Sequence, residues 1–139
     1  MEMHEDFHKD LRSLDAVFEF LDRFALRERL DSKAAYALTL AVEEFFTNIV
    51  KYSKAKAGMI GINAARTGET VTVKLEEETP IPFDVTRVEP PHVAVPPAAR
   101  TPGGLGIHLA RCMLDELRYD YEEGMSTITL IKQVREGNV

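Results

Sequence analysis

AVEEFFTNIVKYS, residues 41–53, carries two rows of side chains at helical spacing. Glu44, Asn48 and Lys51 follow one another four and three residues apart, so on a helix they share one face. An apolar row beside them would hold the helix against a core, and it consists of Leu38, Val42, Phe45 and Ile49. The polar row offers an oxygen ligand for a hard cation, a carboxylate base and a positive counter-charge, which together suit a magnesium-bound phosphate. The alternative is a solvated edge of an amphipathic helix.

Length and composition limit the class of protein. A chain of 139 residues suffices for one domain that buries about two-thirds of its unfolded surface. The net charge of -6 disfavours direct nucleic-acid binding and attraction to anionic membranes. No apolar run approaches the roughly 20 residues of a membrane span, and the acidic start MEMHEDFHKD is unlike a signal peptide. With Cys112 as the single cysteine, we expect a cytoplasmic protein without disulfides.

On both sides of the central helix, the chain alternates between helical and strand-like patterns. The predicted elements in order are a short strand at 3–8, a helix at 11–29, the central helix after an N-cap at 31–32, a hairpin at 58–65 and 69–78, a helix after 106, and a hairpin at 118–121 and 126–134. Helices on one face of a mostly antiparallel mixed sheet make an α+β two-layer sandwich the simplest packing. We expect residues 1–139 to form a single domain.

All seven prolines lie in the segment 79–102, which favours a long, lid-like loop over a helix or an interior strand. The glycines Gly103, Gly104 and Gly106 follow it and open the next predicted helix. Backbone N–H groups at such a helix start bind anions without any special side chain. The alternative is that the glycines only let the loop turn sharply into the helix.

Taken together, these motifs resemble the histidine-kinase-like ATPase family, which includes gyrase, Hsp90, histidine kinases and MutL and has the Bergerat ATP-binding fold. The resemblance spans nearly the whole chain and rests on EEFFTNIVKY at 43–52, PFD at 82–84, GGLGIHLARCMLDELRYDYEEG at 103–124 and STITLIK at 126–132. The short single-domain form is similar to bacterial anti-sigma factors that are serine kinases. The resemblance implies ATP and Mg²⁺ as cofactors.

The resemblance also implies roles for individual residues. Glu44 matches the base of the family and Asn48 its Mg²⁺ ligand, while Lys51 fits a position that faces the phosphates. Thr129 matches a threonine near the adenine. The backbone that wraps the phosphates corresponds to Gly103, Gly104, Leu105 and Gly106.

One motif departs from the family pattern. An alignment on Pro82-Phe83-Asp84 places Glu78 where the family has an aspartate that accepts a hydrogen bond from adenine, and Pro80 where it has a glycine. Glutamate keeps the acceptor but adds a methylene, whereas proline removes the φ freedom and the N–H of glycine. Ser126 stands where relatives often carry asparagine.

These features lead to two expected functions. The first is an anti-sigma factor with ATP- and Mg²⁺-dependent serine/threonine protein kinase activity, whose partners are a sigma factor and a small antagonist protein of STAS type. The alternative is a regulatory binding module of the same fold that has lost ATP binding through the changes at Glu78 and Pro80. An ATP-binding domain detached from a two-component sensor fits less well, because the chain lacks a helix with a phosphoacceptor histidine. Homodimer formation stays open.

Overall fold

The computed structural model describes residues 2–53, 55, 58–87 and 112–134. These residues form an α+β structure with two α-helices and five strands. The α+β class, the five strands and the first two helices agree with the prediction from the sequence. In chain order the elements are β1 (Glu2–His8), α1 (Leu14–Arg27), α2 (Ser32–Tyr52), β2 (Met59–Thr67), β3 (Thr70–Glu78), β4 (Glu116–Glu122) and β5 (Met125–Gln133). Short 3-10 turns occupy Leu11–Ser13 and Val85–Arg87. Neither described helix is both long and apolar enough to cross a membrane.

The strands form one sheet in the order β1-β2-β3-β5-β4. Every described pair is antiparallel, so the parallel pairing implied by the predicted mixed sheet is absent from the described strands. Gly68 and Gly124 occupy the two hairpin turns with φ of 62° and 82°, a region that L side chains rarely adopt. The two predicted hairpins are therefore present.

One face of the sheet, here called the inner face, packs against both helices. Its residues alternate along each strand because successive side chains of a strand point to opposite sides. The inner positions that belong to the hydrophobic core are Phe7, Ile60, Ile62, Ala64, Val71, Val73, Leu75, Ile128 and Leu130. The residues between them in sequence lie on the opposite, outer face.

α2 is the central element of the helical layer. Asp31 caps its start by accepting a hydrogen bond from the backbone N–H of Ala34 at 2.8 Å. Phe45 and Phe46 are fully buried and join the core of inner-face residues. Burying a phenylalanine stabilises the fold by roughly 1.5–3 kcal/mol, so this packing determines how α2 is rotated about its axis. Rotation about that axis sets where its polar residues point.

The predicted lid at 79–102 and the helix after residue 106 fall largely outside the described residues. Of the lid, residues 79–87 are described, and Val85 and Thr86 are buried beside α2. The Asp84 side chain accepts a hydrogen bond from the backbone N–H of Thr86 at 2.9 Å, which stabilises this turn. The start of the segment is thus folded back toward α2.

Candidate functional site

The polar row of α2 lies at the boundary between the core and the surface. Asn48 is buried with 4% of its surface exposed, Glu44 is half-buried and Lys51 is exposed. Because α2 is unbroken from Ser32 to Tyr52, Glu44 and Asn48 stand one turn apart, about 6 Å along the axis. The fold therefore places a carboxylate and a carboxamide side by side at the inner edge of the helix.

Two atoms of this pair are buried without a hydrogen-bond partner among the described residues, Glu44 Oε2 and Asn48 Nδ2. Leaving a buried polar atom unpaired costs about 1–3 kcal/mol, and native proteins tolerate it mainly where a ligand or a function compensates. A half-turn of the Asn48 carboxamide exchanges its oxygen and nitrogen, so the same position can offer an acceptor or a donor. These atoms are suited to a ligand with both polar and cationic groups.

The electrostatic surroundings make Glu44 a stronger proton acceptor than an ordinary glutamate. Burial raises the pKa of its carboxyl above the usual value, the neighbouring charge of Glu43 raises it further, and Lys51 opposes the shift. A carboxylate of raised pKa holds a proton more firmly, which is the property required of a general base.

Polar residues are concentrated at one end of the inner side, beyond the carboxyl end of α2. Ser53 follows the helix directly, and its hydroxyl donates to Glu77 Oε2 at 2.7 Å. Glu77 pairs in register with Ser126, whose hydroxyl lies 3.0 Å from the Tyr119 hydroxyl. Thr79 completes the group through its carbonyl, which accepts from Tyr121 at 2.7 Å. We call this group of Ser53, Glu77, Thr79 and Ser126 the polar end.

Lys9 contributes a buried positive charge to the polar end. Its ammonium forms an ion pair with Glu77, and the two side chains are only 3% and 6% exposed. It also donates to the Ser53 hydroxyl at 3.3 Å and to the carbonyl of Ala55. The three donors of the ammonium therefore meet three acceptors.

The structure separates two predicted residues from the Glu44–Asn48 pair. Glu78 is exposed on the outer face beside Glu76, and Thr129 lies on the outer face opposite Lys74. The reason is the two-residue period of a strand, which directs odd-numbered residues of β3 and even-numbered residues of β5 toward the helices. The structure therefore does not bring Glu78 and Thr129 together with Asn48. Glu77 and Ser126 lie on the inner face instead.

The sequence pattern did not predict every residue of the site, and part of the predicted site falls outside the described residues. The phosphate-wrapping backbone predicted at Gly103, Gly104, Leu105 and Gly106 is outside the described residues. Glu77 was missed although Val71, Val73 and Leu75 precede it at alternating positions, a pattern that predicts an inward side chain. No local pattern marked Lys9 or Ser53, because their roles depend on contacts between distant parts of the chain.

Comparison with known proteins supports the same family. A family model described as "Histidine kinase-like ATPase domain" matches residues 7–132. The serine/threonine-protein kinase BtrW of Bordetella bronchiseptica is 27% identical over 123 residues, which cover 84% of this chain and 82% of that protein. The family match therefore includes α2, β2, β3, β4 and the polar end.

Two solved structures have a similar fold. The RsbU and RsbW domains of Rv1364c from Mycobacterium tuberculosis match with a TM-score of 0.69 at 17% identity, over 96% of this chain and 32% of that one. This chain therefore spans about a third of that protein. The Acinetobacter baumannii histidine kinase AdeS matches with a TM-score of 0.50 at 16% identity, over 96% of this chain and 68% of that one. With a family match from residue 7 to residue 132, the chain belongs to the histidine kinase-like ATPase family.

Proposed function

We propose that this protein is an anti-sigma factor with ATP- and Mg²⁺-dependent serine/threonine protein kinase activity. Its family and its similarity to a protein named serine/threonine-protein kinase support a kinase-like function at a coarse level. The observation that supports the specific proposal is that Glu44 Oε2 and Asn48 Nδ2 on α2 are buried and have no hydrogen-bond partner among the described residues. The proposed substrate is a small antagonist protein of STAS type, and the proposed binding partner is a sigma factor.

The residues of α2 fit the needs of a magnesium nucleotide. Mg²⁺ prefers oxygen ligands and is usually held by one or two protein groups together with substrate phosphates. The carboxamide of Asn48 can supply such an oxygen after the half-turn that puts Oδ1 in the position of Nδ2. Bound Mg²⁺ would neutralise phosphate charge. Lys51, exposed one turn further on, is placed to add a positive charge from the solvent side.

Glu44 is proposed as the base that accepts the proton of the attacking serine or threonine hydroxyl. Its position one turn before Asn48 places the carboxylate beside the phosphate-binding group, and its raised pKa strengthens it as an acceptor. Gly103, Gly104, Leu105 and Gly106 are proposed from the sequence alone to enclose the phosphates with backbone N–H groups. The cytoplasm remains the expected compartment.

The first experiment is a calorimetric titration of the protein with ATP in the presence and absence of Mg²⁺. We expect saturable binding that requires Mg²⁺ and is lost in Asn48→Ala, because that variant removes the proposed ligand. At a nucleotide concentration a hundred times Kd, stability should rise by about 2.7 kcal/mol. Glu76→Gln, which changes a carboxylate on the outer face, is the matched control and should bind as the parent does.

A second step separates binding from catalysis. Glu44→Ala should keep most of the ATP affinity but transfer phosphate to a STAS-type antagonist far more slowly, because proton acceptance acts mainly in the transition state. Phosphate transfer at the parent rate by Glu44→Ala would contradict the assignment of Glu44 as the base.

A second candidate function is a binding module without nucleotide. The observation that favours it is the ion pair between Lys9 and Glu77, which already satisfies the buried carboxylate of the polar end. This alternative predicts neither heat nor a thermal shift at millimolar ATP and Mg²⁺, while binding of a protein partner is retained. The calorimetric titration therefore decides between the two functions.

A further inference from the structure

We propose that the connection between α1 and α2 carries a docking surface for an acidic, partly apolar segment of a partner protein. The surface consists of Leu26, Arg29, Lys33 and Tyr36 and is called the α1–α2 corner here. It lies at the start of α2, whereas Asn48 is about 24 Å further along the helix axis. The inference therefore concerns a surface other than the proposed nucleotide site and does not depend on kinase activity.

The two most exposed large apolar side chains in the described part of the chain both belong to the α1–α2 corner. Leu26 is 81% exposed near the end of α1, and Tyr36 is 61% exposed near the start of α2. Tyr36 lies only about 6 Å along the axis from the first residue of α2, so the short connection keeps both side chains at the same end of the helical layer. Single exposed apolar residues are ordinary, whereas a group of them is expected where another molecule covers the surface.

Arg29 has a backbone conformation that is unfavourable for a residue with a side chain. Its φ is 54°, in the left-handed region. Its N–H donates to the carbonyl of Leu26 at 3.3 Å, and the N–H of Leu30 donates to the carbonyl of Ala25 at 3.0 Å. These two bonds form the Schellman motif that ends α1, in which the left-handed position is usually glycine. Arginine gives up stability that glycine would provide, which indicates a role for its exposed side chain.

Contacts on the inner side hold the backbone of the α1–α2 corner in place. Leu30 packs against the hydrophobic core. The guanidinium of Arg66 donates to the carbonyl of Glu28 at 2.6 Å and to the carbonyl of Gly68 at 2.9 Å, which ties the connection to the β2–β3 hairpin. Because this backbone is already fixed, a partner that binds here has to order only the exposed side chains, which favours affinity.

The charge of the α1–α2 corner is opposite in sign to that of the whole protein. Four cations and two carboxylates belong to the connection and its contacts: Arg27, Arg29, Lys33, Arg66, Glu28 and Asp31. Asp31 already accepts from the start of α2, while neither Arg29 nor Lys33 is in an ion pair with another described residue. Since the protein has a net charge of -6, an acidic segment is repelled elsewhere and attracted here. The exposed apolar side chains then favour a segment in which leucine-like residues lie between the carboxylates.

The experiment measures binding of a fluorescein-labelled peptide of Glu-Leu repeats by fluorescence anisotropy. We expect saturable binding by the parent that weakens with added salt, because exposed charges are screened. Arg29→Glu and Leu26→Ser should each weaken binding by about tenfold or more. A peptide of Glu-Ser repeats, which has the same charge but no apolar side chains, should bind more weakly by a similar factor. Lys74→Glu reverses the charge of an exposed lysine on the outer face of β3, and this matched control should bind as the parent does.

Arg29→Gly tests the argument from the backbone and does not rely on a variant that loses stability. Glycine relieves the left-handed conformation, so Tm should rise by a few degrees, while the affinity for the Glu-Leu peptide should fall by about tenfold. A lower Tm in Arg29→Gly would show that the arginine side chain stabilises the fold, and would overturn the inference. An unchanged peptide affinity in this variant would also overturn it.

The outcomes also separate this inference from the proposed function. Binding of Mg-ATP by the parent without saturable binding of the Glu-Leu peptide would overturn the inference alone. Peptide binding that depends on Arg29, without binding of Mg-ATP, would support the inference and contradict the proposed kinase activity. A dimer of the parent in sedimentation experiments that Arg29→Glu abolishes would identify a second copy of this chain as the occupant, and would overturn the assignment to a separate partner.

Discussion

Replacing Asn48 by leucine should make the free protein more stable while destroying its proposed ligand site. The side chain is 4% exposed, and its Nδ2 atom is buried without a partner among the described residues. Leucine has a similar branched shape and no polar atom, so the substitution removes a desolvation cost of about 1–3 kcal/mol. For a domain of this size, that gain corresponds to a rise in Tm of roughly 3–9 °C. Stabilising substitutions of this kind mark positions where function is favoured over stability.

The assay compares thermal and urea unfolding of the parent and Asn48→Leu, with and without Mg-ATP. Without ligand the variant should unfold at the higher temperature. With nucleotide at a hundred times Kd, the parent alone should gain about 2.7 kcal/mol, so the difference should shrink or reverse. Asn63→Leu, on the outer face of β2, is the matched control, because its side chain is half-buried and has no unpaired buried atom.

A loss of more than about 1 kcal/mol in Asn48→Leu, with Asn63→Leu near neutral, would refute this reasoning, since surface substitutions usually stay within about 0.5 kcal/mol. Such a loss would mean that the Asn48 carboxamide is satisfied within the protein and stabilises it. The argument that assigns a ligand to α2 would then lose its main support.

Two further predictions concern the buried charges. Lys9→Met should lower the free energy of unfolding, measured by urea titration, by about 3–5 kcal/mol, because it leaves the buried charge of Glu77 uncompensated. The double variant Lys9→Met, Glu77→Leu should recover most of that loss in the same titration. The pKa of Glu44 is raised in the folded state, so the folded state binds the proton of this carboxyl more tightly than the unfolded state does. The resulting contribution to the free energy of unfolding is present below the ordinary pKa of 4.5 and is lost as pH rises above that value. Glu44→Gln should abolish this pH-dependent loss, and identical pH profiles for parent and variant would contradict the raised pKa.

The parts of the fold that follow from local patterns could be predicted from the sequence. α2 combines a helical period of apolar residues with an N-cap at Asp31, and both signals act within a few residues of each other. The two hairpins were predictable for the same reason, since a glycine marks each turn between alternating strands. Glu44 and Asn48 share a face simply because they are four residues apart on this helix.

The inner side of the sheet was harder to predict. The alignment on Pro82-Phe83-Asp84 selected Glu78, yet the alternation of β3 directs Glu77 inward, and a shift of one residue changes the face. The ion pair between Lys9 and Glu77 joins residues that are far apart in the sequence, and no local pattern predicts such a contact. Long-range pairing of polar groups therefore limited the prediction of the site more than secondary structure did.

The strand order also has a consequence for how the chain folds. β2 and β3 are joined by a hairpin, and so are β4 and β5. The other two pairings are distant in sequence, because β3 pairs with β5 across residues as far apart as Thr70 and Gln133, and β1 pairs with β2 across residues as far apart as Glu2 and Ala65. Closing such a long loop costs entropy before any contact compensates for it, whereas hairpins close quickly. The two hairpins should therefore form early, and the β1–β2 and β3–β5 pairings should form later. Because Glu77 and Ser126 face each other across the β3–β5 pairing, the polar end is completed only after both hairpins have formed.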